Sequence, residues 1–285
     1  MPEPAISVRD LRKSYGETEA VRGISFEVER GEVFGLLGPN GAGKTTTVEI
    51  LEGYRKRSAG DIAVLGRDPE TRDRALRARV GIVLQSTGFY TRATVRESVE
   101  LMAAVYPHPR DPADTIALVG LEGKRDERVA RLSGGQKRRL DLALALVGDP
   151  ELIFLDEPTT GFDPAARRAA WVVIRTLKEL GKTVLLTTHY LDEAQSLADR
   201  VAIVKDGRIV AEGPPSELSQ GRARYLVAYD RDGHREEVET DDPTELLHRL
   251  TGDALARGER LENLSVSRPT LEDVYLELTA EAVEA

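Results

Sequence analysis

The stretch Val33–Tyr54, VFGLLGPNGAGKTTTVEILEGY, settles the architecture of this chain. Val33–Gly38 is a short continuous apolar run, the pattern of a strand buried on both faces. Gly38–Thr46, GPNGAGKTT, follows at once and matches G-x-x-x-x-G-K-[ST], and a helix-patterned segment opens directly after it. A glycine-rich turn between strand and helix does two things. It lets the backbone N–H groups of Gly38, Pro39–Ala42 and Gly43 (proline itself lacking one) curl inward around phosphates, and it adds the positive end of the helix dipole. In this pattern Lys44 reaches the β- and γ-phosphate oxygens, Thr45 ligates Mg²⁺, and Thr46 completes the motif beside Asn40 and Gly41.

Outward from the loop, further apolar runs at 80–85, 152–156, 183–188 and 200–205 alternate with helical patterns such as 164–180. That alternation predicts an α/β fold with a largely parallel sheet, preceded by two alternating apolar-polar strands at 5–11 and 20–29. Between 86 and 151 three segments are all helical in period, so a helical subdomain is expected there. Residues 213–221, GPPSELSQG, have the composition of a linker, which places a boundary near 218: a nucleotide-binding domain over 1–218 and a small accessory domain over 219–285. After residue 218 there are eight basic and sixteen acidic residues. This acidic piece still patterns as α+β, with strands flanking an Asp232-Gly233 turn, a helix at PTELLHRL, and a Thr270/Asp273 capping box before a final one-faced helix.

Two further sites carry chemistry. LIFLDE, 152–157, is an apolar strand ending in two carboxylates, at the carboxyl end of a parallel sheet where ligands bind. Asp156 is placed to hold the metal and Glu157 to orient or deprotonate an attacking water. LSGGQ, 132–136, opens an amphipathic helix. Ser133 reads as its N-cap, but Gly134 and Gly135 beside a free helix N-terminus also make a second anion site, completed by Gln136.

The P-loop, LSGGQ and Asp156–Glu157, in this order, resemble the ATP-binding cassette (ABC) ATPases over residues 5 to about 218. The resemblance implies a P-loop ABC core with N-terminal antiparallel strands, ATP and Mg²⁺ as ligands, and roles for further residues. Tyr15 in KSYG matches the aromatic that stacks on adenine. Gln85 matches the glutamine that senses Mg²⁺ and γ-phosphate and faces the transmembrane partner. Asp163 matches the loop that crosses to a second subunit, and His189 the switch histidine on γ-phosphate. Phe162 stands where leucine is commoner. The family packs two cassettes head to tail, so a second ABC subunit is implied, a homodimer or a heterodimer, together with a transmembrane permease subunit. The tail, GRIVAEGPPSEL through SRPTLEDVYLELT, resembles antibiotic and daunorubicin exporter subunits, although a generic appendage that stabilises or dimerises the cassette fits it equally.

Composition bounds the alternatives. The chain has 285 residues, net charge −9 and no cysteine, which excludes disulfides, thiolate metal sites and cysteine nucleophiles. The acidic balance and the absence of a basic stripe argue against nucleic acid. The four histidines lack metal-site spacing, and no apolar stretch is long enough to span a bilayer, so no direct membrane insertion is expected. An exporter ATPase, peripheral to the cytoplasmic side of the membrane through its permease, is the reading that follows. A soluble ABC ATPase acting on ribosomes or nucleic acid, or an importer subunit, are the alternatives.

Overall fold

In the computed structural model, residues 3–83, 91–220, 225–231, 234–267 and 270–280 are described. They pack as two units, Met1–Glu212 and Gly213–Ala285.

The first unit begins with strands β1 (Ile6–Tyr15) and β2 (Thr18–Val28), then β3 (Val33–Leu37), α1 (Lys44–Leu51) and β4 (Ala59–Val64). A short α2 (Arg74–Arg77) leads to β5 (Val80–Val83), after which α3 (Val95–Ala103), α4 (Pro112–Leu118) and α5 (Gly134–Leu146) form the helical insert. The core then resumes with β6 (Leu152–Asp156), α6 (Pro164–Glu179), β7 (Thr183–Thr188), α7 (Leu191–Leu197), β8 (Arg200–Lys205) and β9 (Arg208–Gly213). Six strands make one sheet in the order β5-β6-β7-β3-β8-β9, parallel from β5 through β8. The Asp206–Gly207 link to β9 has positive φ at both residues, which suits a two-residue hairpin. The N-terminal strands form a separate antiparallel sheet, β2-β1-β4.

Alternate side chains of the parallel strands enter two different cores. Phe34, Leu152, Phe154 and Leu185 pack with the antiparallel sheet and α1, where Phe26 stacks on Phe34 at 5.3 Å. Ile153, Leu155, Val184 and Leu186 pack with the helices, against Val99, Leu140 and Ile174. Strands covered on both faces need continuous apolar sequence, which is what their runs display. Side chains at the helix starts set the ends of the insert. Thr94 and Glu97 form a capping box on α3, Asp111 caps α4 behind Pro112, and Ser133 and Gln136 box α5.

The second unit consists of α8 (Pro215–Gln220), β10 (Tyr225–Arg231), β11 (His234–Thr240), α9 (Pro243–Arg257), β12 (Glu262–Ser267) and α10 (Leu271–Ala280). Its sheet runs β11-β10-β12, antiparallel throughout, and Val227 and Tyr229 pack on Leu246 and Leu250 of α9. The Asp232-Gly233 turn lies outside the described residues, whereas the Thr270/Asp273 box is present, with Asp273 N–H donating to Thr270 Oγ1 at 3.3 Å. The stretch of linker-like composition differs from expectation. Residues 215–220 are helical, because Pro215 suits a first helical position and Pro214 O accepts from Glu217 and Leu218 N–H, and the resulting turn packs against α10.

Candidate functional site

The loop between β3 and α1 owes its shape to its glycines. At Gly43, φ is +101°, and a Cβ there would stand 2.5 Å from Ala20 O, so only glycine fits the turn into α1. No side chain caps this helix, which leaves its first N–H groups to an external acceptor. Lys44 is buried, and its ammonium donates to Gly38 O at 2.7 Å and Pro39 O at 3.1 Å. Burial pushes this ammonium below its ordinary value, against the pull of Glu157 and Asp156. A phosphate replacing the two carbonyls would add to that pull and favour the charged form that burial disfavours. Thr45 is exposed at the loop, and Thr46 partly so.

The two carboxylates end β6 beside the end of β7. Thr187 Oγ1 donates to Asp156 Oδ1 at 2.5 Å and accepts from the Glu157 N–H at 3.1 Å, so one hydroxyl joins both residues to β7. Glu157 has φ +45°, a left-handed conformation rare for a non-glycine residue, and strain of this kind concentrates where a side chain must be aimed. Its carboxylate accepts from Thr160 Oγ1 at 3.1 Å and lies 3.2 Å from His189 Nδ1. The structure thus draws Lys44, Asp156, Glu157 and His189 together at the carboxyl ends of β3, β6 and β7.

Three residues that the sequence reading did not single out support this cluster. Arg138 of α5 donates to Asp156 O at 2.9 Å and to Pro158 O at 3.1 Å, tying the helix after LSGGQ to the carboxylate loop. Glu193 is fully buried and accepts from Thr159 Oγ1 at 2.9 Å and Trp171 Nε1 at 3.1 Å. Burial pushes it above the usual carboxylate range, opposed by hydrogen bonds from Thr188, Thr159 and Trp171. Thr187 is the third. The one sequence signal for it was the pair of threonines that closes an otherwise apolar strand immediately before His189.

Ser133, Gly134, Gly135 and Gln136 stand elsewhere. With Thr160–Asp163 they line an open cleft of about 770 Å³ whose described lining includes no residue of the P-loop. Ser133 N–H donates to Gln136 Oε1 at 2.9 Å and Gln136 N–H to Ser133 Oγ at 3.3 Å, while Asp163 caps α6 through Ala165 and Ala166 N–H. A Cβ at Gly134 would meet nothing within 4 Å. The chain's own packing therefore does not demand glycine there, and the open backbone suits an approach from outside. Tyr15, at the end of β1, is 43% exposed, with Lys13 Nζ 5.0 Å and the Arg55 guanidinium 5.7 Å from its ring centre. Gln85 lies outside the described residues.

The donor set fits a hard cation. Asp156 and the Thr45 hydroxyl offer oxygen only, and no cluster of three or more His, Asp or Glu side chains suited to a metal occurs among the described residues. A sparse oxygen set of this kind suits Mg²⁺, which keeps waters and is held through nucleotide phosphates.

A model of the family described as ABC transporter matches residues 21–160. The Nod factor export ATP-binding protein I of Rhizobium sp. (strain N33) is 40% identical over 309 aligned positions that cover 100% of both chains. That of Paraburkholderia xenovorans (strain LB400) is 48% identical over 224 positions, 76% of this chain and 73% of its own. Among solved structures, cbiO1 from Clostridium perfringens, part of the ABC transporter complex cbiONQ, superposes with a TM-score of 0.67 at 29% identity, over 76% of this chain and 91% of that one. An ATP-binding cassette solved as a dimer in a post-hydrolysis state with ADP and Pi does so with a TM-score of 0.65 at 25% identity, over 73% and 98%.

Proposed function

This chain belongs to the ABC transporter family as an ATP-binding subunit that hydrolyses ATP, and from that premise we propose that it powers an exporter whose membrane-spanning part is a separate permease. The observation that carries the reading is the convergence of Lys44, Asp156, Glu157 and His189, with the Ser133–Gln136 cleft standing apart from the P-loop. The first group provides the parts of a hydrolytic site. The second is half of a site, to be completed by the P-loop of another subunit.

In this proposal the P-loop N–H groups and Lys44 hold the β- and γ-phosphates of ATP, and Tyr15 offers an aromatic face to the adenine. Thr45 and Asp156, together with Gln85 as the family resemblance implies, would hold Mg²⁺, which would supply charge neutralisation at the phosphates. Glu157 accepts a proton from the attacking water, and His189, bonded to it, steadies both that carboxylate and the γ-phosphate oxygens. Thr187 and the left-handed backbone at Glu157 fix the direction of the carboxylate before the nucleotide arrives.

Ser133–Gln136 of one subunit covers the P-loop of a second, with Asp163 at the crossing, so the active form is a dimer of this chain or a heterodimer with a second cassette. The dimeric neighbour supports this arrangement. Among the described residues no helix is long and apolar enough to cross a membrane. In this proposal the chain attaches to the cytoplasmic face through its permease, a helix of which rests between the ATPase core and the insert. Export is favoured over import because the similarity to Nod factor export proteins extends through the second unit. We propose a drug, antibiotic or lipid-like compound as cargo. The test is reconstitution with the membrane protein of the adjoining gene in vesicles. ATP-dependent movement away from the ATPase side supports the proposal, and movement toward that side, or none, overturns it.

A further inference from the structure

His189 stands between the end of β7 and the start of α7, outside both elements. The torsion that turns its imidazole joins an sp³ to an sp² carbon, and such a torsion has only broad preferences of its own. The hydrogen bond between Nδ1 and Glu157 Oε1 holds one atom of the ring and leaves its plane free to tilt. A second contact is needed to set that plane.

Tyr190 makes it. Its ring packs on that of His189, with centres 4.1 Å apart and planes inclined at 39°. The phenol is itself held from two sides of the fold. The Tyr190 N–H donates to Thr188 Oγ1 at 2.9 Å, at the end of β7, and the guanidinium of Arg167 lies over the ring with its central carbon 4.3 Å from the centre. Arg167 belongs to the first turn of α6, where its N–H donates to Asp163 O at 2.9 Å and where the Asp163 carboxylate accepts from Ala165 and Ala166 N–H. Glu157, His189, Tyr190 and Arg167 thus form a row that ends on the turn capped by Asp163.

Arg167 is committed to the ring more than to its ion partner. Its side chain is only 24% exposed, and its Nε is shut off from solvent with no hydrogen-bond partner among the described residues. The pair it makes with Asp192, at 3.2 Å, uses a carboxylate that is 58% exposed, and pairs of that kind contribute little. A buried N–H without an acceptor is unfavourable unless an electron-rich face stands beside it, and the Tyr190 ring is that face. A planar guanidinium stacked on a ring is also a stiff contact. Trp171, one turn further along α6, reaches α7 separately through Glu193. The two helices therefore stay joined when the contact at Tyr190 is removed.

We propose that Arg167 and Tyr190 are positioning residues for His189: the guanidinium holds the phenol, and the phenol sets the plane in which the imidazole meets Glu157 and the γ-phosphate. The inference rests on the role given to His189 above and adds the residues that aim it.

The experiment measures steady-state phosphate release by the full chain, with kcat and KM separated. Tyr190→Ala lowers kcat about tenfold and leaves the KM for ATP within about twofold, because the groups that hold the phosphates are untouched. Tyr190→Phe, which keeps the ring face, retains about half of the wild-type kcat or more, and Arg167→Ala lowers it about threefold. In a His189→Ala background, itself impaired, neither Tyr190→Ala nor Arg167→Ala brings a further loss, since no ring is left to aim. A merely structural contribution would add its loss there. Melting temperatures show whether each variant is folded, and should Tyr190→Ala fail to fold, Arg167→Ala carries the same comparison. Wild-type kcat in Tyr190→Ala, or losses that add in full to that of His189→Ala, overturn the positioning role while His189 keeps its own. A loss in Tyr190→Phe equal to that in Tyr190→Ala assigns the effect to the hydroxyl and also overturns it. Wild-type kcat in His189→Ala overturns the role of the histidine and this proposal with it.

Discussion

The ATPase unit and the second unit hold their sheets in opposite ways. Every residue of β7 is buried, as are four of the five in β6, so the ends of these strands are fixed from both faces. In the second unit β12 is exposed along its whole length, and a core of Val227, Tyr229, Leu246 and Leu250 covers one side of the sheet. The difference matters for chemistry. A carboxylate at the end of a doubly covered strand keeps its aim, as Asp156 and Glu157 do, whereas a half-covered sheet with open edges is better suited to presenting a surface.

The largest effect that this contrast predicts is at Glu157. Glu157→Gln keeps the shape and the strained backbone but cannot accept the proton, so turnover falls at least ~100-fold while ATP affinity stays within about threefold. Steady-state phosphate release and equilibrium nucleotide binding check the two halves separately. Collapse of affinity with turnover retained would mean that the carboxylate serves to bind nucleotide and not to activate water. No single substitution within 225–280 is expected to approach that loss of turnover.

Glu52 sharpens the contrast inside the rigid unit, where burial turns against a charge. Its carboxyl is pushed from the ordinary 4.5 up to about 8 by burial first and then by Asp156 and Glu49. Above 4.5 the unfolded chain releases this proton and the folded chain holds it, so the stabilisation is complete below pH 4.5 and is lost as pH rises through 8. Chemical denaturation of the free chain should show a decline of at most about 5 kcal/mol over that window from this group, reduced by solvent screening of a side chain that is only partly buried. Glu52→Gln should flatten the decline, and a variant whose pH profile matches the wild type contradicts the burial.

Lys44→Ala comes next. Losing a charge-assisted contact of about 1.5–3 kcal/mol weakens ATP binding roughly 10- to 100-fold by titration calorimetry. An unchanged affinity would mean that the ammonium remains on Gly38 and Pro39 O when nucleotide is bound.

What the sequence made legible follows the same division. The double-faced strands announce themselves as apolar runs, and the P-loop, LSGGQ and Asp156–Glu157 have fixed local spacing. Their folds and neighbourhoods were therefore readable. Thr187, Arg138 and Glu193 act across 18 to 34 positions of chain, through a hydroxyl at the end of a strand, a guanidinium on another helix and a buried acid. No local pattern distinguishes such residues from the polar side chains that any helix or strand turns to solvent. The positive φ at Glu157 is likewise a property of packing that glutamate does not advertise. At 215–220 composition misled for a related reason, because Gly-Pro-Pro marks a break in the chain but does not tell what Ser216–Gln220 pack against.

The smallest expected effect tests the contrast most directly. Ending the chain at Glu212 removes α8 together with α10, its packing partner, and so takes away the second unit whole, leaving no exposed half of a helix pair. All the residues proposed to face phosphate lie before the cut: 38–46, 133–136, 156–157 and 189. The cores that position them are made of residues before 205 apart from Ile209, which is also retained. Independently packed parts with separate cores should be additive, so ATP affinity should change by no more than about twofold, or ~0.4 kcal/mol. Circular dichroism establishes that the truncated chain is folded, and fluorescence titration with a nucleotide analogue gives the affinity. Trp171, the chain's single tryptophan, is linked to the carboxylate loop through Glu193, which also holds Thr159. Its emission in the nucleotide-free state should be the same with and without the second unit. A folded truncation that loses more than about tenfold in affinity, or whose Trp171 emission shifts, shows that the second unit shapes the nucleotide site. The division between a rigid chemical unit and a surface-presenting one would then have to be drawn elsewhere.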